Sequence, residues 1–352
     1  MSTKFRLGIT QGDINGIGYE VIIKSLMDNR ILEMCTPIVY GSPKVAAYHR
    51  KALNVENFSF NPIKTADEAS PSKPNIVNCM DDEVRVELGH STEAGGAGAL
   101  AALKMAVADL QEQRIDALVT APINKHNMQG EEFRFAGHTE FLAQAFGSPD
   151  TLMLMVGESL RVGVVTGHIP LSQVAQQLST ELVLSKLRVL NHSLHMDFGI
   201  RKPRIAVLGL NPHSGDNGLL GTEEQQIIIP AIEQATAEGM VALGPYAADG
   251  FFGSERFGSF DAILAMYHDQ GLVPFKALCF DTGVNYTAGL PIVRTSPAHG
   301  TAYDLTGRNL ANPTSFRHAM YVALDIIRNR QLQAELQANP LRPHQGRRER
   351  GE

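Results

Sequence analysis

The sequence predicts an α/β body with a largely parallel sheet, helices on both faces, and two closely packed lobes. Short apolar runs bounded by glycine or proline alternate with longer stretches of helical periodicity, the pattern of repeated strand–helix units. A length of 352 residues exceeds what one hydrophobic core usually supports, so the core is expected to divide. With 43 % hydrophobic and 19 % charged residues the chain has an ordinary globular composition, which sets aside disordered and fibrous classes.

The elements follow in chain order. FRLGIT at 5–10 reads as the first strand, and Gly16 and Gly18 then allow a tight turn into a helix over 20–27. PIVYG at 37–41 is the next strand; residues 62–75, rich in Pro, Ser, Lys and Asp, are expected to form a surface loop. A helix over 99–113 leads to the strand ALVT at 117–120, and Thr139 stands before a helix over 140–146. VGVVTG at 162–167 is a strand, and Thr180 marks the start of a helix over 182–198. IAVLGL at 205–210 precedes a helix over 222–238, opened by Thr222 with Glu223 and Glu224 and closed by Gly239. AILAMY at 262–267 is a further strand.

Charge and cysteine usage narrow the function. The net charge is −6 and basic residues are scattered except at Arg342, Arg347, Arg348 and Arg350, so no nucleic-acid footprint appears and the tail reads as a solvated end. Cys35, Cys79 and Cys279 are odd in number and lack CxxC spacing, which speaks against disulfides or a thiolate metal site. No signal-peptide pattern or bilayer-length apolar run is present, so a cytoplasmic protein is expected.

The chemistry is concentrated in loops that follow strands. VVTGH ends on His168, LGLNPH on His213, and LAMYHD carries His268. Ligands of open α/β sheets bind beyond the carboxyl ends of strands, so the three histidines are candidates for one metal site with open coordination positions. Zinc suits three imidazoles, with cobalt, nickel or magnesium as alternatives. Asp269 and Asp249 are candidates to orient an imidazole. A second group, GHTE at 137–140 with Lys276, Asn285 and Arg294, has the character of an anion site, since Thr139 would lie where unpaired backbone N–H groups open a helix. The glycines of TQGDINGIGYE do not match G-x-G-x-x-G, so no Rossmann unit is predicted.

Taken together, GITQGDINGIG, TAPINK, FAGHTEFLA, VVTGHIPL, LGLNPHSGDNGLLGTEE, LAMYHDQGL and GVNYTAGLPIVRTSPAHGTAYDLTGR resemble the PdxA family of pyridoxal phosphate biosynthesis over nearly the whole chain. The resemblance implies a two-domain fold similar to isocitrate and isopropylmalate dehydrogenases, binding NAD or NADP without a Rossmann unit. The expected division is residues 1–130 with 300–335, residues 131–299, and a basic flexible tail over 336–352. It also implies a homodimer whose active site lies at the subunit interface, with metal ligands shared between chains. His168, His213 and His268 match the family's metal positions, and His138, Thr139, Lys276, Asn285 and Arg294 its substrate positions. One departure stands out: the family loop resembles TPGEPAGIGPE, whereas this chain has Gln11, Asp13, Ile14, Asn15 and Tyr19.

The implied reaction is metal-dependent oxidation of 4-phosphohydroxy-L-threonine by NAD(P), followed by decarboxylation to 3-amino-1-hydroxyacetone phosphate. His138, Asp249 and Lys276 are the candidate catalytic acids or bases. Alternative substrates are phosphothreonate, phosphoerythronate or an aromatic cis-diol. Readings of another class are a metal-dependent hydrolase or aldolase and a non-catalytic phosphosugar-binding protein.

Overall fold

The computed structural model describes residues 4–338 apart from Asp82, Ala136 and the side chain of Glu255. Its strands are β1 (Phe5–Thr10), β2 (Cys35–Gly41), β3 (Asn61–Ile63), β4 (Asn75–Asn78), β5 (Ala117–Thr120), β6 (Leu152–Val156), β7 (Arg161–Thr166), β8 (Arg204–Leu208), β9 (Val241–Tyr246), β10 (Ala262–Tyr267), β11 (Val284–Ala288) and β12 (Arg294–Pro297). All join one sheet in the order β3-β4-β2-β1-β5-β12-β11-β6-β7-β10-β8-β9.

Pairing is parallel from β3 to β12 and from β7 to β9. Between these blocks, β12–β11, β11–β6 and β6–β7 are antiparallel. Three reversals make the two parallel blocks run in opposite senses. Both faces are covered, and successive strand residues feed different cores. On β5, Ala117 and Val119 pack in the cluster that holds Phe316 and Ala319 of the long helix Thr314–Ala338. Leu118, between them, packs with Leu103 and Ala106 of the helix Glu93–Gln111. On β10, Ile263 and Ala265 join the cluster containing Leu272 and Phe275, while Leu264 and Met266 face the larger core.

The six strands expected from apolar runs are present within two residues of their anticipated bounds. β3, β4, β6, β9, β11 and β12 were not anticipated, because they are short and several are interrupted by polar residues or proline, which leaves little periodic signal. Residues 62–75 are not simply a loop: they include part of the edge strand β3, a short helical turn at Ala66–Glu68 and the first residue of β4. Ser179, rather than Thr180, caps its helix, accepting from the Leu182 amide. The helix expected from 140 begins at His138. The last helix runs to Ala338, past the expected start of the tail; Arg342, Arg347, Arg348 and Arg350 lie outside the described residues. At the first turn Gly12 has φ +70°, and a Cβ on Gly18 would collide with the Gln11 carbonyl, so the turn needs glycine at both positions.

β11 is locked to the last helix by a buried polar cluster. Asp197, 2 % exposed, accepts from Arg330 Nε at 2.6 Å, Tyr286 Oη at 2.6 Å and Ser193 Oγ at 2.6 Å. Arg330 also donates to Tyr286 Oη and the Leu290 carbonyl. We expect Arg330→Ala to leave Asp197 as an uncompensated buried carboxylate and to lower unfolding stability by about 3 kcal/mol in a urea titration. An unchanged midpoint would show that the cluster contributes nothing to fixing β11.

Candidate active site

A cavity of about 260 Å³ opens over the antiparallel middle of the sheet. Asn285 of β11, Arg294 of β12 and Met155 of β6 form its floor, and Thr120 at the end of β5 forms one wall. His168 after β7 and His268 after β10 form the other.

Arg294 is the electrostatic centre. It is 3 % exposed and, among the described residues, has no carboxylate within ion-pair distance. Its donors reach neutral atoms only: Thr120 Oγ1 at 2.6 and 3.1 Å, Thr287 Oγ1 at 3.3 Å and His138 Nδ1 at 3.1 Å. Burial pulls its pKa down to about 10, with Glu140 partly opposing, so the group stays cationic at neutral pH. A buried cation without a counter-charge is the signature of an anion site.

His138 follows from this. A guanidinium only donates, so His138 Nδ1 accepts and the neutral ring carries its proton on Nε2. That Nε2 is buried with no partner. Burial first, then Arg294 and Lys125, hold the His138 pKa well below the ordinary histidine value. The side chain is therefore a neutral donor beside the cationic one. Thr139 supports the cluster through Thr287, their hydroxyls 3.4 Å apart, and is not itself on the cavity wall. Asn285 offers a buried, unpartnered Oδ1, and Lys276 lines the rim.

Of the three candidate metal ligands, two meet. The His168 and His268 rings lie 5.5 Å apart between centroids. Asp269 Oδ1 is 2.7 Å from His268 Nδ1, which holds the proton there and leaves Nε2 free as a donor atom for a metal. Burial, then Lys125 and the neighbouring His268, lower the His168 pKa and favour the neutral, ligating form. His213 does not line this cavity. Among the described residues no group of three or more His, Cys, Asp or Glu is placed to hold a metal within one chain. Asp249 sits exposed on the helix Ala248–Phe252 and does not line the cavity.

His213 instead sits exposed on a left-handed turn. His213, Ser214, Gly215, Asp216 and Asn217 all have positive φ, from 42° to 80°. Four of them carry a Cβ, and each such residue costs on the order of 1 kcal/mol. The turn is bound at its base by Glu224, 2 % exposed, whose Oε1 accepts from the Leu210 and Asn211 amides, both at 2.7 Å. Gln270, two residues past His268, donates to the Gly209 carbonyl at 2.6 Å and accepts from the Met266 amide at 2.7 Å, tying the β8 and β10 ends together.

Four polar residues that line the cavity were not singled out from the sequence: Thr120, Lys125, Ser296 and His299. His299 has a buried, unpartnered Nε2 and lies on the wall shared with a second, apolar cavity of about 260 Å³ that includes Phe280, Leu305 and Leu310. The altered N-terminal loop does not reach the first cavity. Asp13 accepts from Tyr303 Oη at 2.7 Å, Asn127 Nδ2 at 2.8 Å and the Asn15 amide at 2.9 Å, so it fastens the 300–305 loop rather than touching the floor.

A family model for the pyridoxal phosphate biosynthetic protein PdxA matches residues 33–323. A 4-hydroxythreonine-4-phosphate dehydrogenase from Bacteroides thetaiotaomicron is 57 % identical, covering 96 % of this chain and 93 % of its own length. A putative D-threonate 4-phosphate dehydrogenase from Oceanobacillus iheyensis is 39 % identical over 93 % of this chain and 99 % of its own. Among solved structures, the Klebsiella pneumoniae 4-hydroxythreonine-4-phosphate dehydrogenase superposes with a TM-score of 0.80 at 34 % identity, covering 93 % of this chain and 98 % of that one.

Two expectations follow from the geometry. The cavity should bind inorganic phosphate by calorimetry, and Arg294→Lys should weaken it about tenfold, because a single ammonium cannot replace a forked guanidinium; equal affinity in the two proteins would refute an anion site at Arg294. The His138 ring should keep the Nε2–H neutral form well below pH 6.5 in nitrogen-detected spectra, since its folded pKa is depressed. By linkage, the stability tied to that neutral ring is present above the unfolded histidine value and is lost as pH falls below it.

Proposed function

The chain belongs to the PdxA family of pyridoxal phosphate biosynthetic proteins, and from that premise we propose that it oxidises 4-phosphohydroxy-L-threonine with a nicotinamide cofactor and releases carbon dioxide to give 3-amino-1-hydroxyacetone phosphate. The observation that carries this reading is the buried Arg294, with no carboxylate within ion-pair distance among the described residues, beside the paired His168 and His268: an anion grip and an imidazole pair in one cavity.

The donor set suits a divalent metal, with zinc first and cobalt, nickel or magnesium as alternatives: two neutral imidazoles, one oriented by Asp269, and an orphaned Asn285 oxygen nearby. We assign the third ligand to His213 of a second copy of the chain. The exposed Leu219 and Leu220 beside that turn support a homodimer built over this face. When bound, the metal supplies Lewis acidity at the substrate hydroxyl, and the nicotinamide accepts the hydride.

The chain's own residues do the rest. Arg294 and the His138 Nε2–H bind an anionic group of the substrate and fix its orientation. His138 has no free lone pair for proton abstraction, because Nδ1 already accepts from Arg294. We therefore give the proton transfer to Lys276, which lies on the walls of both cavities. The apolar second cavity, with Phe280, Leu305 and Leu310, takes a flat cofactor ring, NAD or NADP, while Lys276 and His299 stand where the two cavities meet. Oxidation leaves a keto group beta to the carboxylate, and loss of carbon dioxide follows from that placement. The three cysteines are free, and no helix among the described residues is long and apolar enough to cross a membrane; we assign the protein to the cytoplasm.

The test is turnover of 4-phosphohydroxythreonine, phosphothreonate and phosphoerythronate with NAD and with NADP, before and after chelation. We expect reduction of cofactor with the first substrate and its loss on metal removal; turnover of phosphothreonate alone would transfer the assignment to the threonate-type relatives. His213→Ala and His168→Ala should each be inactive, yet mixed and reassembled they should recover about a quarter of native activity, because half of the random dimers hold one intact site. No recovery on verified subunit exchange would overturn a shared site.

A further inference from the structure

The turn that carries His213 is odd in a specific way. Its five left-handed residues leave His213, Asp216 and Asn217 exposed, and of the residues 212–218 only Gly215 is buried. The strained backbone therefore does not serve the packing of its own side chains. What holds it is underneath. Glu224 enters the concave side, with both oxygens engaged: Oε1 by the Leu210 and Asn211 amides and Oε2 by Asn211 Nδ2 at 3.0 Å. A Cβ on Gly215 would come within 2.6 Å of Glu224 Oε2, and one on Gly209 within 3.1 Å of Oε1, so both glycines admit the carboxylate. Glu224 opens a π-helical turn, Glu224–Ile228, ahead of the helix Ile229–Ala237. Such insertions recur where a side chain must be re-aimed for function.

We infer that Glu224 is a positioning residue: its buried carboxylate clamps the Leu210–Asn211 amides so that His213 is presented outward, already in its ligating posture, before metal or second copy arrives. The inference rests on the reading that His213 is a metal ligand across the dimer. Preorganisation of this kind appears as metal affinity, because the ordering of the turn is not charged to the binding step.

The experiment uses the full-length dimer and measures zinc and cobalt affinity by chelator competition, with the cobalt absorption spectrum as a second readout and the unfolding midpoint as a control. Glu224→Ala should lose at least tenfold in metal affinity while remaining dimeric, and Glu224→Gln, which can still accept the two amides, should recover part of that loss. If Glu224→Ala does not fold, Glu224→Asp, one methylene short of the amides, takes its place with the same expectation. His213→Ala is run in parallel. If His213→Ala loses the metal but the Glu224 variants bind it as tightly as the native protein, the clamp is refuted and the ligand reading stands. If His213→Ala binds metal normally, the ligand reading falls and takes the clamp with it.

Discussion

A guanidinium buried in the middle of a twelve-stranded sheet is the constraint around which this site is organised. Among the described residues Arg294 has no carboxylate within ion-pair distance, so the surrounding dipoles and the more distant Glu140 must offset its burial. Thr120 comes from the end of β5, Thr287 from β11 and His138 from the start of a helix, and each gives Arg294 an acceptor atom. Removing any one of them would leave a donor of a buried cation unsatisfied. The same neutral cage leaves a positive potential open toward the cavity, which gives an anionic substrate a reason to bind there.

The sheet makes this cage possible. The parallel blocks run in opposite senses, and the antiparallel strands between them put β5, β12, β11 and β6 side by side over one floor. The loop after β7 and the helix His268–Cys279 that follows β10 directly then bring His168 and His268 to the wall above it. The anion grip and the imidazole pair thus come from different blocks, and the reversal of strand sense lets one cavity touch both. A wholly parallel sheet would send all its active loops to a single edge.

The histidines divide the site between a finished part and an outstretched part. His168 and the half-buried His268 are mutually placed, with Asp269 selecting the free nitrogen of His268. His213 stands on a strained, exposed turn braced from below by a buried glutamate. Proteins keep such strain where surrounding structure over-determines it. Here the bracing also reaches His268, since Gln270 hydrogen-bonds Gly209, so the histidine that each chain would lend to its partner's site is mechanically joined to the pair it keeps for its own.

Much of this was legible in the residues alone. Long apolar runs such as FRLGIT and AILAMY announced their strands because burial on both faces needs nothing but local hydrophobicity. The strand-end motifs ending on His168, His213 and His268 likewise marked themselves by position, and Arg294 with the GHTE segment that holds His138 stood out as an anion-binding group, to which the family resemblance gave substrate positions. Tertiary structure decided what those residues are for one another. Which acceptors surround Arg294 and which His138 nitrogen holds the proton depend on contacts such as Arg294–Thr120 and Arg294–His138 between residues far apart in sequence, and the placement of His213 depends on how Glu224 closes its turn. Hydrophobic periodicity is a local property and can be read along the chain; electrostatic compensation is a property of what surrounds an atom in space, and only the folded chain settles it.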